Sequence, residues 1–462
     1  MSASGGRTMD RAEGRLLAWL ALLALVACAL TFLIGLPVAL TYTERYTLLQ
    51  SVGITLQHLR PMHESCAFAW VFLGGVTVVH LWLLRTFGPL SPAMRRRMAA
   101  MLVLWTVAGV GILVSLLLGH FTGREYLGYH PFFSLLIAAG WILFAVNFYA
   151  RVGASLRDRP VFVIMWWVAI PLFLITYAES HLYLFETVSV RPLRDLAIQW
   201  KANGAMVGSF NLLAYGSLVY VVGALQGSEA YARSRTAFLL LTVGLLNSFT
   251  NYGHHTYHLP QSAWIHWISF VVSMLELVIL AKVLLDVLAL VRRAPEPPED
   301  GLTYAFVRSA TLWTFLMLSL SIVIAIPPLN ALIHGTHIVS AHVMGSMIGI
   351  DSMILWAGMV YVVRCLAGSD HVAVRGRAVR LAIPFLNVSF LVFLVTYLVR
   401  GVAAGWSRYA GPTAPDLSSF VAVFPVLMMS AGLVLMGAVL WMLAHWILAL
   451  LPGRSTSRLG EG

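Results

Sequence analysis

The chain has 462 residues, of which 60% are apolar and 11% charged, and its mean hydropathy is +0.83. Soluble domains carry about 25% charged residues, so the composition excludes a water-soluble enzyme and indicates a polytopic membrane protein. Thirty Lys and Arg against nineteen Asp and Glu give a net charge of +11; in so apolar a chain this reports cytoplasmic loops and calls for no nucleic-acid partner.

A membrane span needs about 20 apolar residues. Residues 1–15 read as a polar cytoplasmic tail, 16–451 as the membrane domain, and 452–462 as a second cytoplasmic tail. Within the membrane domain twelve apolar runs are expected to be helices. They are Leu16–Thr43, Ser65–Phe87, Met98–His120, Pro131–Val152, Val161–Phe185, Ala202–Gln226, Ala237–Leu259, Ala263–Val291, Tyr304–Pro327, Ser340–Leu366, Val379–Ala404 and Ser419–Leu451. An even number of spans places both termini on one side. With that side inside, most Lys and Arg fall in internal segments, among them Arg95, Arg96, Arg97, Arg292, Arg375 and Arg377, as the positive-inside rule requires. Ala294–Gly301 reads as a hydrophilic turn between the eighth and ninth spans. Cys28, Cys66 and Cys365 lie in apolar runs and form neither a disulfide framework nor a CxxC site. A Walker loop is missing from the sequence, so ATP-driven transport has no support.

Polar side chains inside a bilayer are costly, which makes intramembrane histidines functional candidates. Odd spans rise from inside to outside and even spans descend. His63 then opens span two, His254 and His255 end span seven, His342 begins span ten, and Asn203 opens span six at the same outer level. His254 and His255 flank one helix face and can share a metal; neutral imidazole suits iron, copper or zinc. Two helical residues correspond to about 200°, so His342 and Met344 point to opposite sides of span ten and can serve two flat cofactors as axial ligands. Read alone, Met344 is by default a packing residue. His80, His181 and His445 are expected to be packing residues.

The pattern resembles the catalytic subunit of the haem-copper oxidase superfamily, and within it the nitric oxide reductase large subunit. Arg60-Pro-Met-His63 is similar to the RxxH start of span two. Gly123-Arg-Glu-Tyr-Leu-Gly128 is similar to an outer loop of nitric oxide reductases. Gly253-His-His-Thr-Tyr257 with Trp264, and Ser273-Met-Leu-Glu276, look like the family's GHHYxW and SxxE segments. Gly335-Thr-His-Ile-Val-Ser-Ala-His342 looks like the segment that opens span ten. The resemblance implies an all-α, twelve-helix haem-copper oxidase subunit I fold in a bacterial inner membrane. It implies two b-type haems, with His63 and Met344 on the low-spin haem, His342 on the high-spin haem, and His337 as the alternative to Met344. It also implies a non-haem iron or copper on His254 and His255, and a calcium and haem propionates near Arg124 and Glu125.

Two departures bear on the site. Met344 stands where the family has a second histidine. On span six, one register puts Asn203 at the family's third metal-binding histidine and Val207 at its glutamate; the other puts Gln199 and Asn203 there. Either way the metal has two histidines and at most an amide oxygen. The implied reaction is reduction of NO to N2O, with Glu276 as proton carrier and O2 reduction as the alternative substrate chemistry. A haem protein that transfers electrons or senses gas without catalysis is the competing class. No CxxCH is present, so electrons are expected from a separate cytochrome c subunit or a quinol.

Overall fold

Hydrocarbon offers no hydrogen-bond partner, so each apolar run must pair its backbone N–H and C=O groups within itself and becomes a helix. The computed structural model describes residues 10–41, 46–250, 252–257, 259–293 and 301–451, and no strand occurs among them. The first nine residues of the N-terminal tail, the turn at Ala294–Gly301 apart from its last residue, His258 and the tail from residue 452 lie outside the described residues.

The spans, in order, are Arg11–Leu40, Leu56–Phe87, Pro92–Leu117, Pro131–Val152, Val161–Glu179, Pro192–Gln226, Arg235–Thr250 continued by Tyr252–His255, Ala263–Arg293, Gly301–Ala325, His337–Ala367, Arg377–Ala410 and Phe424–Leu450. Eleven helices among the described residues are long and apolar enough to cross a membrane. Span seven, whose longer piece has 16 residues, is the one below that length.

Two helix starts differ most from the apolar runs, by nine and ten residues. Span two begins at Leu56, where Thr55 and His58 form a reciprocal capping box, and span six begins with Pro192 in its first turn. Hydropathy marks the hydrocarbon zone, whereas caps mark the helix. His63 and Asn203 therefore do not open their helices but lie two to three turns inside them.

Spans two, six and ten form the centre: 78%, 78% and 83% of their most apolar windows are buried, against 28%, 28% and 22% for spans three, eight and twelve. The centre carries His63, Asn203 and His342. On one side of span six an aromatic slab fills the space. Phe72 meets Trp141, Phe173 and Phe210 edge to face, and Trp166 packs on Trp82, Phe162 and Tyr220. Such pairs stabilise beyond their buried area.

Span ten is α-helical over His337–Met344, π-helical over Gly345–Ser352 and α-helical again from Met353. Gly345 and Gly349 sit so close to span nine that a Cβ would lie 1.8 Å from Met317 Sδ and 2.8 Å from Trp313 Cβ. Small residues at this spacing let two membrane helices touch along their backbones. The approach brings Ser321, one turn above Met317, within 3.4 Å of His342 Nδ1.

Candidate functional site

Taking as upper the end at which the even-numbered spans begin, the site is built at the upper end from spans six, seven, eight and ten. Gly253 lets span seven press on span eight, since a Cβ there would lie 2.8 Å from both Ile265 O and Ser269 Cβ. The contact allows the His254 backbone N–H to donate to Ser269 Oγ at 3.0 Å. The His254 and His255 rings are 4.2 Å apart, and His255 stacks on Trp200 of span six at 5.4 Å with 4° between planes. His342 lies within electrostatic range of both. Two helices thus bring three imidazoles to one place, and a third adds the Trp200 ring.

Asn203 lies one turn below Trp200. It is 2% exposed, and neither Oδ1 nor Nδ2 has a hydrogen-bond partner. An orphaned buried amide costs about 1–3 kcal/mol, so this position fits a residue whose partner is a bound group. Among the described residues no three His, Cys, Asp or Glu side chains form a metal-holding cluster. A metal held here would have two imidazoles and at most one amide as donors, a weaker set than three imidazoles.

His63 Nδ1 donates to the Thr31 carbonyl of span one at 2.9 Å. That bond fixes the ring and its tautomer and leaves Nε2 as the free lone pair, the arrangement expected of an axial ligand. Met344 is half-buried against the core, on the α-helical turn that carries His342. His337 stands edge-on to Tyr397 at 5.4 Å and lines a cavity of about 450 Å3 with Arg400, Ser407 and Asp416. The backbone N–H of Ser418 holds the exposed Asp416 carboxyl below its ordinary pKa.

The loop at 123–128 closes on itself through Thr122, whose N–H and hydroxyl donate to Gly128 O and Leu127 O at 2.8 and 2.9 Å. Tyr126 adopts φ +64° there, an uncommon conformation for a residue with a Cβ, and its ring packs on Phe68. Burial pushes its phenol above its ordinary pKa, and that of Tyr129 up to about 12. Arg124 and Glu125 point into different clusters. Arg124 makes a two-pronged pair with Asp195 at 2.6 and 2.9 Å and lies 4.3 Å over the Tyr183 ring. Glu125 pairs with Arg60, which also binds Glu64 at 2.7 Å.

Glu276 lies below the histidines in a small cavity shared with Asn211, Tyr215, Asn247 and Ser248. It shares that cavity with Asn247 and lies within its electrostatic range; Ser273 Oγ donates to Asn247 Oδ1 at 3.1 Å and stands 3.5 Å from His254 Nδ1. A line of polar groups therefore runs from the carboxyl to the His pair. The sequence reading included Ser273 but not Thr31, Trp200, Asn247, Ser269 or Ser321. Only helix packing reveals these. The three packing histidines are anchored by Nδ1 to carbonyls one turn back, His80 to Val76, His181 to Tyr177 and His445 to Trp441.

A family model described as cytochrome c and quinol oxidase polypeptide I matches residues 15–440. The chain belongs to this family, subunit I of the haem-copper oxidases, and is a membrane oxidoreductase of the respiratory type. No curated protein matches it significantly. Among solved structures it is similar to a haem-copper terminal oxidase dimer seen by cryo-electron microscopy, with a TM-score of 0.77 and 15% identity over 96% of this chain and 85% of that one. At that identity the likeness shows the fold.

Proposed function

We propose that the protein reduces nitric oxide to nitrous oxide in a bacterial inner membrane, with both termini cytoplasmic and the site near the outer face. Two NO, two electrons and two protons give N2O and water. His63 and Met344 would hold a low-spin haem b, His342 a high-spin haem b, and His254, His255 and Asn203 a non-haem iron or copper. When bound, these groups supply one-electron chemistry at an iron with one open face. Arg124 is the charge available to haem propionates and Glu125 the carboxylate available to calcium, roles that require each to loosen its present ion pair. A separate cytochrome c subunit or a quinol brings electrons.

The line Glu276–Asn247–Ser273–His254 is the observation that carries this reading, because it puts a buried carboxyl and the proposed metal-binding pair at the two ends of one run of polar side chains. Tyr257, two residues past the pair, donates its hydroxyl to Ala325 O of span nine at 2.8 Å. The substitution at Asn203 favours the second reading, a haem protein without turnover.

Purified protein should contain two haem b per chain by pyridine haemochrome and consume NO, and Glu276→Gln should slow that consumption at least tenfold without altering the haem spectra. O2 consumption with indifference to NO would overturn the NO assignment. Haem without non-haem metal and without turnover on either gas would establish the second reading.

A further inference from the structure

We propose that Asp351, on the π-helical turn of span ten, reloads Glu276 with protons through the phenol of Tyr215 and draws them from the lower, cytoplasmic face. The proposal rests on Glu276 being the proton carrier and adds its supply. Asp351 lies nine residues beyond His342, roughly 13 Å deeper at helical rise. It is 4% exposed, and its Oδ1 has no hydrogen-bond partner. Its neighbour Ser352 shows what a structural polar residue does here: Ser352 Oγ accepts from Trp70 Nε1 and donates to Met347 O, at 2.8 and 2.7 Å. Buried polar groups are ordinarily satisfied in that way. A bare carboxyl in mid-membrane calls for a function.

Tyr215 supplies the link. Its phenol is within electrostatic range of both Asp351 on span ten and Glu276 on span eight. Tyr215 and Glu276 line the same cavity, whose volume of about 20 Å3 admits a single water. Further down spans six and ten, the Tyr220 and Tyr361 rings meet edge to face at 6.1 Å. Arg85 and Arg364 lie 5.6 and 4.9 Å from the Tyr361 ring, and Arg85 donates to Cys365 Sγ at 3.1 Å. Polar groups thus recur at the lower end of spans two, six and ten, about three turns below Asp351.

The transfer moves protons only. The Tyr215 O–H bond breaks as its proton passes, directly or through the cavity water, to the Glu276 carboxylate. The phenol oxygen takes the Asp351 proton, and the Asp351 carboxylate is reprotonated from below. No electron moves and no group leaves.

The test compares full-length, cofactor-loaded Asp351→Asn, Asp351→Glu, Tyr215→Phe and Glu276→Gln, offering NO and O2 in parallel. Asp351→Asn and Tyr215→Phe should slow consumption of whichever gas is used at least tenfold, and Asp351→Glu should recover most of it. In reduced-minus-oxidised infrared difference spectra, a carboxyl band that shifts on 13C labelling of Asp should vanish in Asp351→Asn and persist in Tyr215→Phe. In proteoliposomes, proton uptake from the cytoplasmic-face side should be lost in Asp351→Asn. Wild-type rates in Asp351→Asn beside a slow Glu276→Gln would overturn the proposal and leave the Glu276 reading intact. A fast Glu276→Gln would sink the Glu276 reading and with it this supply. If Asp351→Asn fails to fold, absence of an Asp carboxyl band from the wild-type difference spectrum still refutes the assignment.

Discussion

Span six has two unlike faces. Toward spans two, four and five it is packed as a solid: Phe210 and Tyr220 pack on neighbouring rings, Gly216 approaches Trp166 closely, and Trp166 Nε1 is satisfied by Leu213 O. Toward spans seven and eight it presents Asn203 without a partner, Asn211 and Tyr215 on a cavity, and Gly208 against Ser248. One helix carries both, so composition alone does not divide them. The apolar interface stabilises the bundle through dispersion and aromatic contacts, which offsets the cost of the buried polar groups on the other side. Local conflict with packing rules concentrates where chemistry is expected.

The comparison can be broken most severely at the histidine pair. Replacing His254 and His255 together with Ala should abolish gas consumption and remove one non-haem metal per chain by elemental analysis, while haem content stays near two; equal loss of haem would make the pair structural. The two faces can next be set against each other by stability. Trp166→Ala should cost roughly 3–5 kcal/mol, the range for emptying a large aromatic site, and lower the unfolding temperature in detergent. Asn203→Leu should leave stability unchanged or raise it by about 1 kcal/mol, because it removes an orphaned amide, yet weaken metal retention. Opposite signs sharpen the contrast, and equal losses would erase it. The smallest effect is electronic. Met344→His should lower the low-spin haem potential and remove the near-infrared charge-transfer band of His–Met ligation, since a thioether favours ferrous iron more than imidazole does. Spectra unchanged by Met344→Leu would make Met344 a packing residue and His337 the ligand.

Much of this arrangement is legible in the sequence, for reasons specific to membranes. Twelve apolar runs mark the helices because hydrocarbon admits little else, and His63, His254, His255 and His342 stand out because a ring nitrogen in such a run is costly. Helix starts were missed at Leu56 and Pro192, where caps extend the spans beyond the hydrocarbon. Thr31, Ser321 and Trp200 were out of reach, since spacing along a chain tells which face a residue occupies but not which neighbouring helix meets that face. Asp351 is a different kind of omission. An acid in an apolar run was visible by the same argument that singled out Glu276.

The π segment of span ten gives the site a means of indexing. Below it, Trp356 is keyed among Phe32, Trp70 and Phe306 of spans one, two and nine; above it, His342 and Met344 must aim to opposite sides. An uninterrupted α-helix would gear these two halves together, so the azimuth of the ligands would be dictated by the anchor. The wider turn of Gly345–Ser352 works as a vernier between them. On the proposed ligation, it would let the His342 half be set against the haems without unseating the aromatic key, and would make the length of that short stretch, more than its side chains, the quantity that aims His342.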